Sequence, residues 1–546
     1  MELPLKPRTL IRSRIVVGLA ASALLMSGCA SSSDSDKKSG SDAPKSETTL
    51  VSGMVNLPEA GDPVEGGVLT VAEYSEARSL DPTKTYGNGA AGGSAMAAIY
   101  DTLTRYDWGT ETYVPQLAES LTSDDNTTWT LKLREGVKFS DGTALDADAV
   151  LASLDYYTKS YGYNFVIWMS NVAETKKVDD TTVEFTTRFP WATFPSMLSH
   201  GPGMILAPAA YKNAAKDPAS FKPIGAGPFV FDGYKPTEEL TLSANEDYFD
   251  GRPHLDGLKF IWPGADSAKL EALDNGDVDA AFLREPKVTA DALDAKKAGM
   301  LWVTGAGSAY WINHREGHPG ANPKVREALN LAIDPARYYE RVGNTDAVAS
   351  KSLFPANSPW FTGVETVTPD PAAAKKLVEE AKKEGWDGTI RYSHLSDAAS
   401  QQAAVALKAM LEAAGFKVVL EPMKSIADQI QKLYVDHSFD LAASAVTVGE
   451  DDPYTMLAGV LTPQSPTNTS GYQNEEMLAA LTKLAGSSGP TDGAEAMKEI
   501  ETIWQRDLPA INMADGTFMQ TWTNDVHGIT GNVQMLIHYD DAWLTK

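Results

Sequence analysis

Two histidines that stand four residues apart, His314 and His318, have the spacing that lets imidazoles share a metal ion on one face of a helix. The zinc-protease motif also needs a glutamate directly after the first histidine, where it acts as the general base. Arg315 takes that place here, and Gly317 and Pro319 disfavour a helix. We therefore predict a solvated loop, with an extracellular metal-dependent hydrolase as an alternative function.

Three glycines, Gly87, Gly89 and Gly92, match the G-x-G-x-x-G spacing of dinucleotide-binding loops. That function needs a strand immediately before the first glycine, because the glycines turn the strand into a helix. The preceding strand is expected to end near Ala72, and a Leu-Asp-Pro segment at 80–82 intervenes. The pattern favours a loop that leads into a helix, and it predicts no nucleotide cofactor.

Other signatures of catalysis are missing from the sequence. It contains neither the G-x-S-x-G turn of serine hydrolases nor a Walker phosphate-binding loop. Cys29 is the only cysteine, so a disulfide framework is impossible. Carboxylates are plentiful, but their spacing singles out no catalytic pair. We predict a chain that is not an enzyme and that uses neither a cofactor nor a metal.

The single cysteine closes a secretory signal. Basic residues at 6–14 precede an unbroken apolar run at 15–26, and Ser-Gly stands directly before Cys29. The apolar run is too short for a membrane-spanning helix, which needs about 20 residues. The arrangement resembles the lipobox of bacterial lipoproteins, whose cysteine carries a diacylglycerol. We predict a lipoprotein signal peptide at 1–28 and lipidation of Cys29.

The segment that follows and the overall charge limit the partners. Residues 29–65 are mostly polar and small, which predicts a flexible lipid-anchored tether. The chain has 73 acidic and 47 basic residues and a net charge of −26. Nucleic acid is disfavoured as a partner, because its phosphates need a basic surface. We expect a monomer that contacts the membrane only through its lipid.

The pattern after the tether is mixed α/β. Residues 67–72 and 129–134 are predicted strands, and Asp146 and Asn322 are predicted helix caps. About 480 residues are too many for one hydrophobic core, which favours more than one lobe.

A strand–helix–strand unit is expected in the second half of the chain. Residues 388–393 and 416–421 are the predicted strands, and the helix between them ends before Gly415. Short connections of this kind favour a parallel pair of strands.

Eight blocks along the chain resemble the solute-binding proteins of peptide and nickel ABC importers, known as solute-binding protein family 5. The resemblance covers about residues 66 to 546, and the blocks follow the family order. They lie at 80–82, 100–107, 115–121, 133–150, 224–229, 245–253, 276–280 and 325–334.

The resemblance implies an α/β, two-lobed, hinged periplasmic-binding-protein-like fold of type II, peptide-binding class, with an extra small domain in the first lobe. Ligand would be enclosed when the lobes close, without bond chemistry. The implied parts are lobe I at 66–95, the small domain at 96–221, lobe I again at 222–309, lobe II at 310–511 and a return to lobe I at 512–546.

The resemblance also points to an acidic loop as a ligand site. In peptide binders of the family, an aspartate in a Trp-x-x-Asp-x-x-Asp-Pro loop holds the α-ammonium of the peptide. Alignment on Asp452-Pro453 places Gly449 at that aspartate, and no tryptophan precedes it. Asp452 is the expected cap of the helix that begins at Pro453. Glu450 and Asp451 are therefore predicted to contact a cationic or hydrogen-bond-donating group, and helix capping by these acids is the alternative.

Five further residues are predicted ligand contacts. They are Tyr310, Trp311, Asn313, Tyr86 and Asn88. Aromatic side chains give contact area and a polar handle, although packing in the core is the competing role for each of them.

Together these features predict an extracytoplasmic lipoprotein on the outer face of the cell membrane. It would capture a peptide or another small polar solute and deliver it to an ABC permease with its ATPase subunits. The sequence does not separate a peptide from a sugar or a metal chelate as ligand. It also leaves open a ligand sensor without a transport role.

Overall fold

The computed structural model describes residues 50–546 except 86–88, 90, 213, 215, 218–219, 344–347, 533 and 546. The signal peptide and Cys29 lie outside the described residues. Tyr86 and Asn88 also lie outside them. The signal peptide, the lipidation of Cys29 and the ligand contacts of Tyr86 and Asn88 therefore stay predictions.

Helices and strands alternate along the described chain, as the mixed α/β pattern predicts. The helices are α1 (Gly93–Tyr100), α2 (Ala147–Lys159), α3 (Phe165–Asn171), α4 (Phe194–Met197), α5 (Pro208–Tyr211), α6 (Asp266–Asn275), α7 (Pro286–Asp294), α8 (Pro323–Ala332), α9 (Pro335–Val342), α10 (Pro371–Lys383), α11 (Ala398–Ala413), α12 (Ile426–Ile430), α13 (Pro453–Leu461), α14 (Glu475–Ala485) and α15 (Pro490–Asp507). The strands are β1 (Gly53–Val55), β2 (Val68–Ala72), β3 (Thr104–Asp107), β4 (Thr112–Pro115), β5 (Ala118–Thr122), β6 (Thr128–Leu133), β7 (Val172–Lys177), β8 (Thr182–Thr187), β9 (Phe229–Lys235), β10 (Glu239–Ala244), β11 (Gly257–Ile261), β12 (Ala280–Leu283), β13 (Ala298–Ile312), β14 (Thr389–Leu395), β15 (Lys417–Met423), β16 (Leu441–Ser444), β17 (Ala510–Trp522), β18 (Val526–His527), β19 (Thr530–Gly531), β20 (Ile537–His538) and β21 (Trp543–Leu544).

Local signals placed several helix ends correctly. The side chains of Asp146, Asn322 and Asp452 each accept a hydrogen bond from a backbone N–H in the first turn of α2, α8 and α13. These bonds satisfy amides that have no partner within the helix. Gly415, just after α11, has a φ of +89°, and β14 and β15 pair in parallel, so the predicted strand–helix–strand unit is confirmed.

The glycine motif leads into α1, as the loop prediction requires. Gly92 precedes that helix with a φ of +102°. A Cβ at this position would lie 2.4 Å from the Cβ of Ala77. Close packing and a left-handed backbone conformation therefore explain a glycine at position 92.

The expected tether is ordered at its end. Residues 53–55 form β1, which pairs antiparallel with β13. Leu50 and Val55 pack beside a hydrophobic cluster that includes Leu301 and Met519. These few apolar residues of a polar segment lie at the open edge of β13. Part of the segment predicted as a tether is therefore in contact with the folded chain.

The largest sheet is organised by two long strands, β13 and β17, which pair along most of their length. The two ends of this antiparallel pair have different neighbouring strands. At one end β16 extends the sheet to β14 and β15, and at the other end β12 extends it to β2, β11, β10 and β9. Two groups of strands are thus joined through the same antiparallel pair.

The ladder between β13 and β17 breaks between these two groups. Its register shifts between Thr304 and Ser308, and Ala306 has a φ of +48°. Gly307 and Gly516 face each other at the break, where a Cβ on Gly307 would lie 2.1 Å from the Cα of Gly516. The two backbones therefore approach each other to a distance that only glycine permits.

A second, four-stranded antiparallel sheet has the order β5-β6-β8-β7. Its buried residues, among them Leu131 and Phe185, belong to one hydrophobic cluster with Leu457 of α13 and Met477 of α14. This cluster connects the small sheet with helices that lie far away in the sequence. No helix among the described residues is long and apolar enough to cross a membrane.

Candidate functional site

The acidic loop lies between β16 and α13 and is held at both ends. At its start, Val448 and Gly305 exchange backbone hydrogen bonds of 2.9 and 3.0 Å, next to the break in the ladder. At its end, Asp452 caps α13 by accepting from the amide of Thr455 at 3.2 Å and from the hydroxyl of Thr193 at 2.9 Å. The capping role predicted for Asp452 is confirmed.

Among the described residues, the carboxylate of Asp451 accepts hydrogen bonds from neutral groups only, namely the backbone N–H groups of Asp451 and Asp452 and one side chain. The hydroxyl of Tyr113, on β4, donates a hydrogen bond to it. Burial, followed by the negative charge of Asp452, raises the pKa of Asp451 to about 7. Among the described lysines, arginines and histidines, none forms an ion pair with it. A desolvated carboxylate of this kind is strongly stabilised by a cation placed against it.

Glu450 is held more firmly by the protein itself. Its backbone carbonyl accepts a hydrogen bond of 2.6 Å from the indole of Trp360. Burial raises the pKa of its carboxyl group, and the neighbouring Ser358 side chain opposes that shift by hydrogen bonding. Glu450 and Asp451 therefore each have one neutral side chain as a hydrogen-bonding neighbour, Ser358 and Tyr113 respectively.

An aromatic hairpin faces Asp451. Tyr106 of β3 and Tyr113 of β4 are directly opposite each other in the ladder, with ring centroids 5.3 Å apart. Trp108 packs edge-on against Tyr106 at 5.3 Å. Burial and the charge of Asp451 raise the pKa of Tyr106, so its hydroxyl stays protonated. Aromatic faces beside a carboxylate form a favourable environment for an organic cation.

A cavity lies against α13, beginning one helical turn after the acidic loop. Trp311 is part of its wall, so the structure brings this predicted contact close to the acidic loop. The other lining residues are Tyr163, Asn164, Tyr434, Ala445, Val446, Thr455, Met456, Gly459, Val460, Thr467 and Thr469.

Tyr310 and Asn313 are placed in packing positions. The ring of Tyr310 is buried between Tyr338 and Tyr392, with centroid distances of 6.1 and 5.6 Å. The amide of Asn313, also buried, donates to the backbone carbonyls of His437 at 2.8 Å and Phe439 at 2.9 Å. Successive residues of a strand point to opposite faces, so Tyr310 faces away from the cavity that Trp311 lines.

The two histidines lie in a loop, as predicted, but each has its own partner. His314 donates from Nε2 to the Leu508 carbonyl at 2.9 Å, and burial lowers its pKa to about 4. His318 donates from Nδ1 to Asp440 at 2.9 Å, and Asp440 also binds Arg391. Within the described part of the chain, no three His, Cys, Asp or Glu residues are grouped as they would be to hold a metal ion.

Tyr106, Tyr113 and Thr193 were not predicted as part of the site. No local signal in the β3–β4 hairpin connects it with a loop more than three hundred residues away. Only the fold brings Tyr113 and Asp451 together.

The chain is similar to known binding proteins in sequence and in fold. Residues 112–468 match the family described as bacterial extracellular solute-binding proteins, family 5, middle region. The glutathione-binding protein GsiB of Escherichia coli (strain K12) is 28% identical over 410 residues, which is 72% of this chain and 79% of GsiB.

Solved structures share the fold at low sequence identity. The periplasmic binding protein DppA from Helicobacter pylori, in complex with the peptide STSA, has a TM-score of 0.75 and 22% identity over 88% of this chain and 99% of its own. The oligopeptide-binding protein AppA from Bacillus subtilis, in complex with a nonapeptide, has a TM-score of 0.74 and 19% identity over 89% of this chain and 100% of its own. The predicted α/β, two-lobed periplasmic-binding-protein fold is confirmed. Because the family match covers more than half of the sequence, the chain belongs to the bacterial extracellular solute-binding proteins, family 5.

Proposed function

We propose that the chain is the capturing receptor of an ABC importer and that its ligand is a peptide or another small polar solute with a cationic amine. The observation that supports this ligand class best is the partly buried carboxylate of Asp451, whose hydrogen-bond partners among the described residues are all neutral. An ammonium group offers a positive charge and three N–H donors to such an acceptor. An anionic ligand group at the same place would be repelled.

Closure of two lobes would complete the site. The proposed boundaries are lobe I at 66–95 and 222–309, the small domain at 96–221, lobe II at 310–511 and the return at 512–546. The acidic loop would then belong to lobe II, and Tyr113 and Thr193 to the small domain. A ligand that binds between them favours the closed arrangement by the difference in its affinity for the two states.

The relatives support a solute that has an amine. Among them are a glutathione-binding protein and structures in complex with peptides. Both kinds of molecule have a free α-ammonium group, which is the chemistry that Asp451 fits. The ligand of this chain is proposed as a member of that class, with the individual compound to be identified by mass spectrometry of what copurifies.

A thermal-shift panel tests the proposal. The panel contains alanyl-alanine and glutathione, each paired with its N-acetylated form, which lacks the positive charge. A true ligand at 100 times its dissociation constant stabilises the fold by about 2.7 kcal/mol. We expect stabilisation by at least one free amine and by neither acetylated control. Equal shifts from amine and acetylated forms would contradict the proposed role of Asp451.

Import is separated from sensing by an uptake measurement. Deletion of the gene is expected to abolish accumulation of the labelled ligand, because the permease depends on its receptor. Uptake at the normal rate after deletion would assign the chain to signalling.

We also propose that the protein is anchored by lipid at Cys29. Cys29→Ser is expected to move it from the detergent phase to the aqueous phase in a partition assay while its melting temperature stays unchanged. Each buried methylene of an acyl chain contributes about 0.8 kcal/mol to membrane binding, so loss of the lipid removes the anchor. Ser31→Ala, which alters the tether and keeps the thiol, is the control. Retention of the Cys29→Ser protein in the detergent phase would disprove lipidation at this residue.

A further inference from the structure

The cavity beside α13 is built from distant parts of the chain. Tyr163 and Asn164 come from the loop before α3, and Trp311 comes from β13. The remaining wall is supplied by α13 and by residues 434, 445, 446, 467 and 469. The cavity therefore lies between the small domain and lobe II as proposed above, which is where a ligand is enclosed on closure.

The lining of the cavity is neutral. Its walls include three aromatic side chains, Tyr163, Trp311 and Tyr434, and none of the residues that line it is charged. Gly459 leaves room on the helix side, because it has no side chain. A charged group would lose its hydration in this space without gaining an opposite charge, whereas an aromatic group would gain contact area.

Two buried hydroxyl groups of the lining differ in their hydrogen-bond partners. One of them belongs to Thr469, which is 1% exposed and has no partner for its oxygen among the described residues, whereas the side chain of Thr455 hydrogen-bonds the carboxyl group of Asp452. The neighbouring polar groups are already used. Thr467 donates to the carbonyl of Gly459 at 2.7 Å, and the amide of Asn164 donates to His200 at 2.9 Å.

A buried hydroxyl without a partner is costly. A ligand that brings one polar atom to this place would recover part of that cost. The hydroxyl of Thr469 therefore adds a requirement for a hydrogen-bonding substituent to the preference for an apolar group.

The cavity is adjacent to the acidic loop through α13. Thr455 lies in the first turn of the helix that Asp452 caps, so the cavity begins within one turn of that loop. A substituent next to a bound ammonium group can therefore enter the cavity.

We propose that this cavity selects a neutral aromatic group with a hydrogen-bonding substituent, such as a phenol, on the ligand carbon next to the ammonium group. The inference rests on the proposed function for the position of the ammonium. The site excludes acidic and basic side groups, and it prefers a phenol to an unsubstituted ring through the hydroxyl of Thr469.

Calorimetry with four dipeptides tests the selectivity. The peptides are tyrosyl-, phenylalanyl-, lysyl- and glutamyl-alanine, which share the same free amine and differ in the first side chain. We expect tyrosyl-alanine to bind several-fold more tightly than phenylalanyl-alanine and at least tenfold more tightly than the two charged peptides. Charged peptides that bind as tightly as tyrosyl-alanine would overturn the proposal.

Two variants test the cavity itself. Gly459→Leu fills it from the helix side, where the new Cβ meets Thr467 at an ordinary contact distance of 3.5 Å. We expect this variant to lose affinity for tyrosyl-alanine at least tenfold and to keep its affinity for alanyl-alanine. Thr469→Val is expected to reduce only the preference for tyrosyl over phenylalanyl. An equal loss for all peptides in Gly459→Leu would overturn the assignment, because it would report a change of the whole site.

Binding of p-cresol separates this inference from the proposed function. The probe has the ring and the hydroxyl but no amine, and saturation-transfer NMR detects it at millimolar concentration. Binding to the unsubstituted protein and not to Gly459→Leu supports the cavity even if every amine fails in the thermal-shift panel. Equal binding to both proteins would count against the cavity, whatever the amines do.

Discussion

Asp451→Asn is expected to weaken binding of the amine ligand by ~30-fold or more, which corresponds to about 2 kcal/mol or more. The asparagine has the same shape, and its carbonyl oxygen still accepts a hydrogen bond from Tyr113. Only the negative charge is lost. None of the described lysines, arginines and histidines forms an ion pair with that charge. Isothermal titration calorimetry gives the affinity, and the melting temperature verifies that the fold is intact.

The pH dependence gives a second readout of the same carboxylate. Its pKa is raised to about 7 in the ligand-free protein, so below that value the carboxyl is increasingly protonated and neutral. A bound ammonium favours the ionised form, so protons compete with the ligand below about pH 7. We expect the dissociation constant to rise by up to ~10-fold for each pH unit below 7. The Asp451→Asn protein should show a flat profile over this range.

Glu450→Gln is the matched comparison within the loop. Its carboxyl is less buried, and Ser358 already acts as its hydrogen-bonding neighbour. We expect a smaller loss of affinity than for Asp451→Asn. A larger loss would exchange the roles of the two residues. If neither variant binds more weakly than the unsubstituted protein, this loop has a structural role only.

Local signals in the sequence predicted the parts of this site that depend on neighbouring residues. The cap at Asp452 follows from an acceptor side chain directly before a proline, because both features act within one helical turn. The orientation of Trp311 relative to Tyr310 follows from strand alternation, but the sequence does not say which face is open to a cavity. That choice depends on what packs against each face.

The partners of the loop could not be predicted, because they come from the other end of the fold. Tyr113 and Asp451 are 338 residues apart in the sequence. No periodicity or spacing connects two such positions, and only the folded chain makes them neighbours. The same reason explains the short strand at 53–55, whose pairing edge lies on β13.

The close approach of β13 and β17 at Gly307 and Gly516 is where a small substitution should have the largest effect on stability. Gly307→Ala places a Cβ 2.1 Å from both the Cα and the backbone nitrogen of Gly516. Backbone atoms cannot rotate away, so the two strands have to separate where they join the two groups of strands. Overpacking in a core typically costs about 1–3 kcal/mol, and we expect about 3 kcal/mol or more here. A marked fall of the melting temperature is the measured result.

Two further alanine variants show whether this close approach causes the loss of stability. Gly61→Ala is the control, because a Cβ there has no atom within 4 Å, and it should leave the melting temperature unchanged. Gly516→Ala meets mainly side-chain atoms, the hydroxyl of Thr304 at 2.4 Å and the ring of Phe518 at 2.7 Å. Side chains can move, so this variant should destabilise the protein less than Gly307→Ala and should be relieved by Thr304→Ala. If Gly307→Ala melts at the same temperature as Gly61→Ala, the strands can separate at little cost. The close approach of the two strands would then not restrict how the two groups of strands move relative to each other.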